Sequence, residues 1–220
     1  MKNFLTGLLC IILGVVIGFG SVVYLTRYTN SDIMNKILGT ESGVQYLESD
    51  SSDQHNYELI KLAYTVAQVI KERDYNALAE LVHPERGLLF TPSSTVNTAS
   101  DRWFSATEVA GFGSDDETYV WGVDSAKGDP IEMTIDDYFL AYVFDQDYTL
   151  APEIGVNKIL KTGNALENVT SIFTDAEFVD LTYPGTEAND YLDWTTLRLV
   201  FEDYQGSSRL VAIIHCEWTV

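Results

Sequence analysis

The sequence predicts an α+β domain, with helices packed on one face of a curved antiparallel sheet, behind a single N-terminal transmembrane helix. Three observations carry that expectation. Phe4 to Leu25 form an apolar run with no charge and no proline; apolar residues recur at three- and four-residue spacing from Leu59 to Ile70; and residues 176–218 hold three extended runs. Spacings near 3.6 mark one face of a helix, and alternation marks a half-buried strand.

The apolar run is the first element. Its 22 residues would rise about 33 Å as a helix, enough for a hydrocarbon core about 30 Å thick. A cleaved signal peptide is the competing reading, and Gly18, Gly20 and Ser21 offer small residues to a peptidase. Signal peptides, however, have an apolar core of about 7 to 15 residues, so the sequence favours an uncleaved anchor over residues 1–28. Cys10 lies inside this run, and Gly14 and Gly18 make a G-x-x-x-G spacing that is easily reached by chance among four glycines. Lys2 before the helix and Arg27 after it barely bias its orientation. A short N-terminus inside and the rest of the chain outside is the simpler topology, which places the protein in the cell membrane as a single-pass chain.

Charge narrows the partners. The chain carries 33 Asp plus Glu against 13 Lys plus Arg, a formal charge of −20, and such a domain repels nucleic acid and anionic lipid surfaces. Cys216 is the only cysteine beyond the apolar run, so no disulfide can form within the domain, which must be stabilised by its own core. Residues 29–55 are polar and rich in Ser, Asp and Glu, and read as a linker. His55, in that stretch, is expected to be solvated.

From Tyr57 the stripe Leu59, Leu62, Ala63, Val66 and Ile70 predicts a core-facing helix. Asp74 is placed to cap a second helix that ends near His83, before Pro84. Gly87-Leu-Leu-Phe-Thr reads as a strand stopped by Pro92. Ser105 and Glu108 have capping-box spacing for a short helical turn, and Thr118 to Val123 reads as another strand. Thr134 with Asp137 repeats the capping arrangement ahead of a stronger helix, with an aromatic stripe through Ile135, Tyr138, Phe139, Tyr142 and Val143. Ala176–Tyr183, Trp194–Asp203 and Ser208–Trp218 then predict an antiparallel meander, the last two runs joined by a turn at Gln205-Gly206. Pairing Phe201 opposite Leu210 puts Leu197, Leu199 and Phe201 on one apolar face with Leu210, Ala212, Ile214, Cys216 and Trp218. That face is expected to meet the helices.

The order helix, helix, strands, helix and terminal meander resembles the NTF2-like (SnoaL-like) cone. His83-Pro-Glu-Arg-Gly, Tyr119-Val-Trp-Gly, Ile154-Gly-Val-Asn-Lys, Trp194-Thr-Thr-Leu-Arg-Leu-Val-Phe and His215-Cys-Glu-Trp-Thr are similar to segments of uncharacterised exported or membrane-anchored proteins of Gram-positive bacteria. The resemblance covers residues 56–220. It implies a cone fold and no established activity, so no catalytic residue follows from it.

Candidate chemistry lies on the other face of the terminal hairpin, where Arg198, His215 and Glu217 gather with Trp194 and Thr196 alongside. A histidine beside a carboxylate suits a general base; a polar cluster on a solvent-facing sheet surface is the alternative. His83, with Glu85 and Arg86 at a helix-to-strand corner, is the second candidate, and it is also placed to hydrogen-bond the last helical carbonyls. The acidic groups Asp115-Asp116-Glu117, Asp136-Asp137 and Asp145-Gln146-Asp147 lack the spacing of a calcium loop, and three scattered histidines lack zinc spacing. No phosphate-binding loop, dinucleotide fingerprint or nucleophile elbow is present, so neither a metal nor a cofactor is expected. Asn168-Val-Thr170 matches a glycosylation sequon. Two functions remain. One is an extracytoplasmic, non-enzymatic module, tethered by one helix, that binds a small ligand, a cell-wall component or a protein. The other is a small hydrolase or isomerase with a His/Glu pair in an open cone pocket.

Overall fold

The computed structural model describes residues 51–124 and 127–219, and residues 51–220 form one compact unit. The expected anchor and most of the expected linker lie outside the described residues, among which no helix is long and apolar enough to cross a membrane.

Helix α1 (Ser51–Glu72) starts eight residues ahead of Leu59, where its apolar stripe begins, so its first turns are polar and exposed. Leu59, Ala63, Val66, Ala67 and Ile70 are buried, as the spacing predicts. The helix ends where Arg73 takes φ +53°. Arg73 N donates to Ile70 O and Asp74 N to Val69 O, the paired closure that satisfies the last carbonyls. Asp74 then caps α2 (Tyr75–Leu81), its carboxylate accepting from Ala77 N at 3.0 Å.

A corner at Gly87 (φ +77°) leads into β1 (Leu88–Thr91). β2 (Arg102–Phe104) follows, and then α3 (Ala106–Gly111), which the reciprocal Ser105 and Glu108 capping box opens. β3 (Thr118–Val123) and β4 (Pro130–Thr134) pair as a separate two-stranded ribbon. The helix expected after Thr134 is only one α-turn, α4 (Ile135–Tyr138), before it widens into a π-helix over Phe139–Val143. The predicted stripe is kept, with Ile135, Tyr138, Phe139 and Val143 buried. The wider turn, closed by Phe144 N donating to Phe139 O at 2.7 Å, changes where the carbonyls point.

β5 (Glu153–Val156), α5 (Val169–Ile172), β6 (Glu177–Tyr183), β7 (Thr195–Tyr204) and β8 (Ser207–Glu217) complete the domain. The main sheet has six strands in the order β2-β1-β8-β7-β6-β5. It is mixed and not wholly antiparallel, because β1 runs parallel to β8. Parallel neighbours need a crossover connection, and here everything between β1 and β8 supplies it. The terminal meander stands as predicted, with Gln205 and Gly206 at positive φ in the hairpin turn.

One residue overturns the predicted faces. Phe201 does pair with Leu210, but Val200 pairs with Ala212, so Val211 is an extra residue in β8. A one-residue insertion exchanges the faces beyond it. Leu210, Ile213 and His215 therefore face the helices with Leu197, Leu199 and Phe201, while Ala212, Ile214 and Cys216 turn to the other side with Val200.

Both sides are buried. The helix side is filled with aromatic rings: Phe90 meets Phe104, Phe112, Trp121, Tyr138 and Phe139 at centroid distances of 5.5 to 6.1 Å. Trp121 stacks flat on Tyr138 at 3.8 Å and donates its indole N–H to Met133 O. The back face, which the sequence leaves as either a pocket lining or a solvent-facing surface, is covered by Val96, Ile159, Val169 and Phe173 packed on Val200, Ile214 and Cys216.

Candidate functional site

The bulge at Val211 separates the residues that the sequence places together. Arg198 pairs with Ile214 on the back face, and His215 pairs with Leu197 on the helix face. The sheet lies between them, so Arg198, His215 and Glu217 do not form one cluster.

Arg198 has 0 % side-chain exposure. Its Nε donates to Asp180 Oδ1 at 2.7 Å and its Nη2 to Asp180 Oδ2 at 3.1 Å, while Nη1 donates to Glu167 Oε2 at 2.6 Å. Asp180 sits directly opposite Arg198 in the β6/β7 register and also accepts from Leu160 N at 3.2 Å. The Phe178 ring covers the guanidinium at 5.1 Å. Burial pushes the Asp180 carboxyl up, and Arg198 pulls it back. Burial likewise opposes the Arg198 charge, and the surrounding acidic groups more than offset it. Next to this pair Cys216 is fully buried, and its thiol is pushed up to about 12 by desolvation. A fork with every arm occupied holds the covering segment onto the sheet; it is not an open binding site.

His215 is 2 % exposed. Its Nδ1 donates to Tyr142 O at 3.0 Å, a carbonyl of the π-helix, and the Tyr142 ring meets the imidazole edge-on at 5.4 Å. Asp145 Oδ1 lies 3.8 Å from Nδ1. Glu217 Oε2 lies 3.6 Å from Nε2 on a side chain that is 51 % exposed. The His215 ring holds the Glu217 carboxyl below its usual range, against the opposing effects of partial burial and of Asp124. Asp145 in turn accepts from the hydroxyls of Tyr148 and Thr195 at 2.8 and 3.0 Å. With Nδ1 fixed, Nε2 is the nitrogen left to exchange a proton, and it faces a carboxylate at the rim. A histidine facing a carboxylate is the pairing that general-base chemistry uses, here at an ion-pair separation of 3.6 Å and not a hydrogen bond.

His83 does something other than expected. Its Nδ1 accepts from Glu85 N at 3.2 Å and Arg86 N at 3.1 Å, so it closes the corner after α2 from ahead and does not cap the helical carbonyls behind. Its ring packs against Tyr204. Trp194 is buried on the back face with Val200 and Cys216, on the side of Arg198. His55 is exposed but paired, its Nε2 2.7 Å from Glu177. Asn168 cannot present a free amide for glycosylation in the folded state: its Nδ2 donates to Val96 O and its Oδ1 accepts from Val96 N.

Comparison with protein-family models, curated proteins and solved structures finds no match. The site is therefore read from its own geometry. The signal that could have found Asp180 is its place as an acidic residue centred in an otherwise largely apolar β6, but only the β6/β7 register sets it opposite Arg198. Glu167 lies outside every regular element, and the Tyr142 carbonyl is a backbone acceptor at the end of the π-helix, where the last carbonyls have no helical partner, so neither leaves a sequence signal. Among the described residues no group of three or more His, Cys, Asp or Glu side chains is arranged to hold a metal ion. The acidic pairs are already partnered: Asp136 with Arg73, Asp137 with Thr134, and Asp147 with Lys71.

Proposed function

We propose that the chain is a membrane-anchored, extracytoplasmic ligand- or protein-binding module that works without catalysis, built on a domain of the NTF2-like cone type. The observation that carries this reading is the use of the interior. The space between helices and sheet, where a cone enzyme keeps its pocket, holds the interlocked rings of Phe90, Phe104, Phe112, Trp121, Tyr138 and Phe139. The Arg198 guanidinium and the His83 Nδ1 are taken up by structural partners. Two leading helices, a strand pair with a short helix, a hairpin and a closing meander also follow the cone order. The apolar run Phe4–Leu25 is the anchor, crossing the cell membrane once with its N-terminus inside. A partner for so acidic a domain is a small ligand, a cell-wall component or a protein, and not a nucleic acid.

The alternative is a small hydrolase or isomerase. His215 Nε2 facing Glu217 beside a π-helix is the observation in its favour. The full-length chain, offered chromogenic ester, amide and glycoside substrates and an enone that isomerises, is expected to show no turnover that depends on His215. Turnover lost in both H215A and E217Q overturns the module reading. For topology, a C-terminal epitope tag is expected to be removed by protease added to intact cells; a protected tag refutes the N-inside orientation.

A further inference from the structure

The loop between β6 and β7 is built to display two apolar side chains. Thr186 to Asp193 are all exposed, yet the loop is tightly bonded. The Asp193 carboxylate accepts from Thr186 N at 2.6 Å, Thr186 Oγ1 at 2.8 Å and Asn189 Nδ2 at 2.8 Å. Tyr191 N donates to Thr186 O and Leu192 N to Asn189 O. Gly185, at φ +85°, admits this closure, since a Cβ there would lie 2.9 Å from Tyr191 O. Trp194, buried in the back-face core, fixes the far end.

What this frame holds is unusual. Asp190 and Tyr191 both take the left-handed conformation, at φ +51° and +59°, and for a bulky residue that is a backbone outlier. Glycine would adopt it without strain. The aromatic ring gains nothing from the core in return, because Tyr191 is 56 % exposed and its neighbour Leu192 46 %. Strain kept on an exposed ring in a rigid loop is a mark of preorganised recognition. Around the tip stand Glu187, Asp190 and Asp193, and no basic residue lies between Lys161 and Arg198.

Resting on the module reading above, we infer that loop 184–194 is the recognition element, and that Tyr191 and Leu192 insert into an apolar recess bordered by Lys or Arg on a partner protein. The acidic rim selects that partner by charge complementarity and disfavours an anionic lipid surface. Tyrosine suits the role, giving large contact area at little conformational cost.

The test is a displayed peptide library panned on the full-length chain in detergent. Peptides combining basic and apolar residues are expected to enrich. Their affinity should fall at least tenfold in Y191G/L192S and weaken with salt. Y191G removes the side chain and relieves the backbone, so thermal stability is expected to hold and loss of binding cannot be assigned to unfolding. Enriched peptides that bind Y191G/L192S within twofold of the parent overturn the loop as the recognition element and leave the module reading standing. So does loop-dependent sedimentation with phosphatidylglycerol vesicles in the absence of any peptide enrichment. His215-dependent turnover in the substrate panel instead removes the module reading itself.

Discussion

Replacing Arg198 by Met tests the buried fork most directly. The change keeps an unbranched side chain of similar length, but deletes three charge-assisted bonds, at 2.7, 3.1 and 2.6 Å. Asp180, itself 0 % exposed, keeps only the Leu160 N–H. Leaving one partner of a buried ion pair uncompensated costs about 3–5 kcal/mol. Against a total stability of about 5–15 kcal/mol, that is a large fraction, and at about 2–4 °C per kcal/mol it lowers Tm by roughly 6–20 °C. Urea titration followed by tryptophan fluorescence measures it, since Trp194 lies on the affected face. The loss should depend on pH. Burial raises the Asp180 carboxyl, and removing the guanidinium raises it further. A folded value above the unfolded one gives a contribution that is fully present below the unfolded value, about 3.9, and lost as pH rises through the folded value. The penalty of R198M relative to the parent is therefore smallest near pH 4 and grows toward neutrality. In R198M/D180N no buried carboxylate is stranded at position 180, so the double variant should be more stable than R198M alone. A penalty under about 1 kcal/mol, or a double variant no better than R198M, refutes the coupled-pair argument.

Four further outcomes follow from the geometry. H83A leaves the part-buried amides of Glu85 and Arg86 without their acceptor and is expected to cost about 1–3 kcal/mol in urea unfolding; no change would place the corner's stability elsewhere. G87A forces a Cβ to within 2.4 Å of Phe104 O at φ +77°. The left-handed strain alone is about 1–2 kcal/mol, so a larger drop is expected by thermal melting, and a neutral result would contradict the close approach of Gly87 to the end of β2. In a C10S background the Cys216 thiol, buried and pushed up to about 12, should resist a maleimide at pH 8 until denaturant is added; rapid labelling of the folded chain would contradict its burial. Because His215 holds the Glu217 carboxyl down, this group stabilises the fold above its unfolded value of about 4.3, and that contribution is lost as pH falls through the folded value. E217Q should flatten the acid limb of the stability profile below about pH 5; an unchanged limb would show that the His215 contact does not matter energetically.

Local signals were readable wherever one residue does one local job. Asp74 caps α2, Ser105 and Glu108 reciprocate, and Phe201 stands opposite Leu210. The same reading failed at β8 because alternation assumes an unbroken period of two, and Val211 breaks it without any proline or glycine to announce the break. Arg198 and His215 therefore looked like neighbours and are on opposite faces. The stronger helix expected after Thr134 failed more gently. Ile135, Tyr138, Phe139 and Val143 of its stripe are buried and Tyr142 is half-buried, but the chain widens into a π-turn, and the Tyr142 carbonyl comes to His215.

Composition and period by themselves determined the α+β class, the helical stripe of α1, the caps and the closing meander, because each depends on residues within a few positions of one another. The same local information carries the expectation of an apolar anchor and an acidic domain without disulfides. Tertiary structure alone decided that the sheet is mixed, that both faces are covered, and that the polar residues of β7 and β8 are divided between a buried ion pair and a buried histidine that faces a rim carboxylate. Those outcomes depend on contacts between residues far apart in the chain, such as Glu167 with Arg198 and Tyr142 with His215. A single inserted residue in one strand turns every side chain beyond it in that strand to the opposite face.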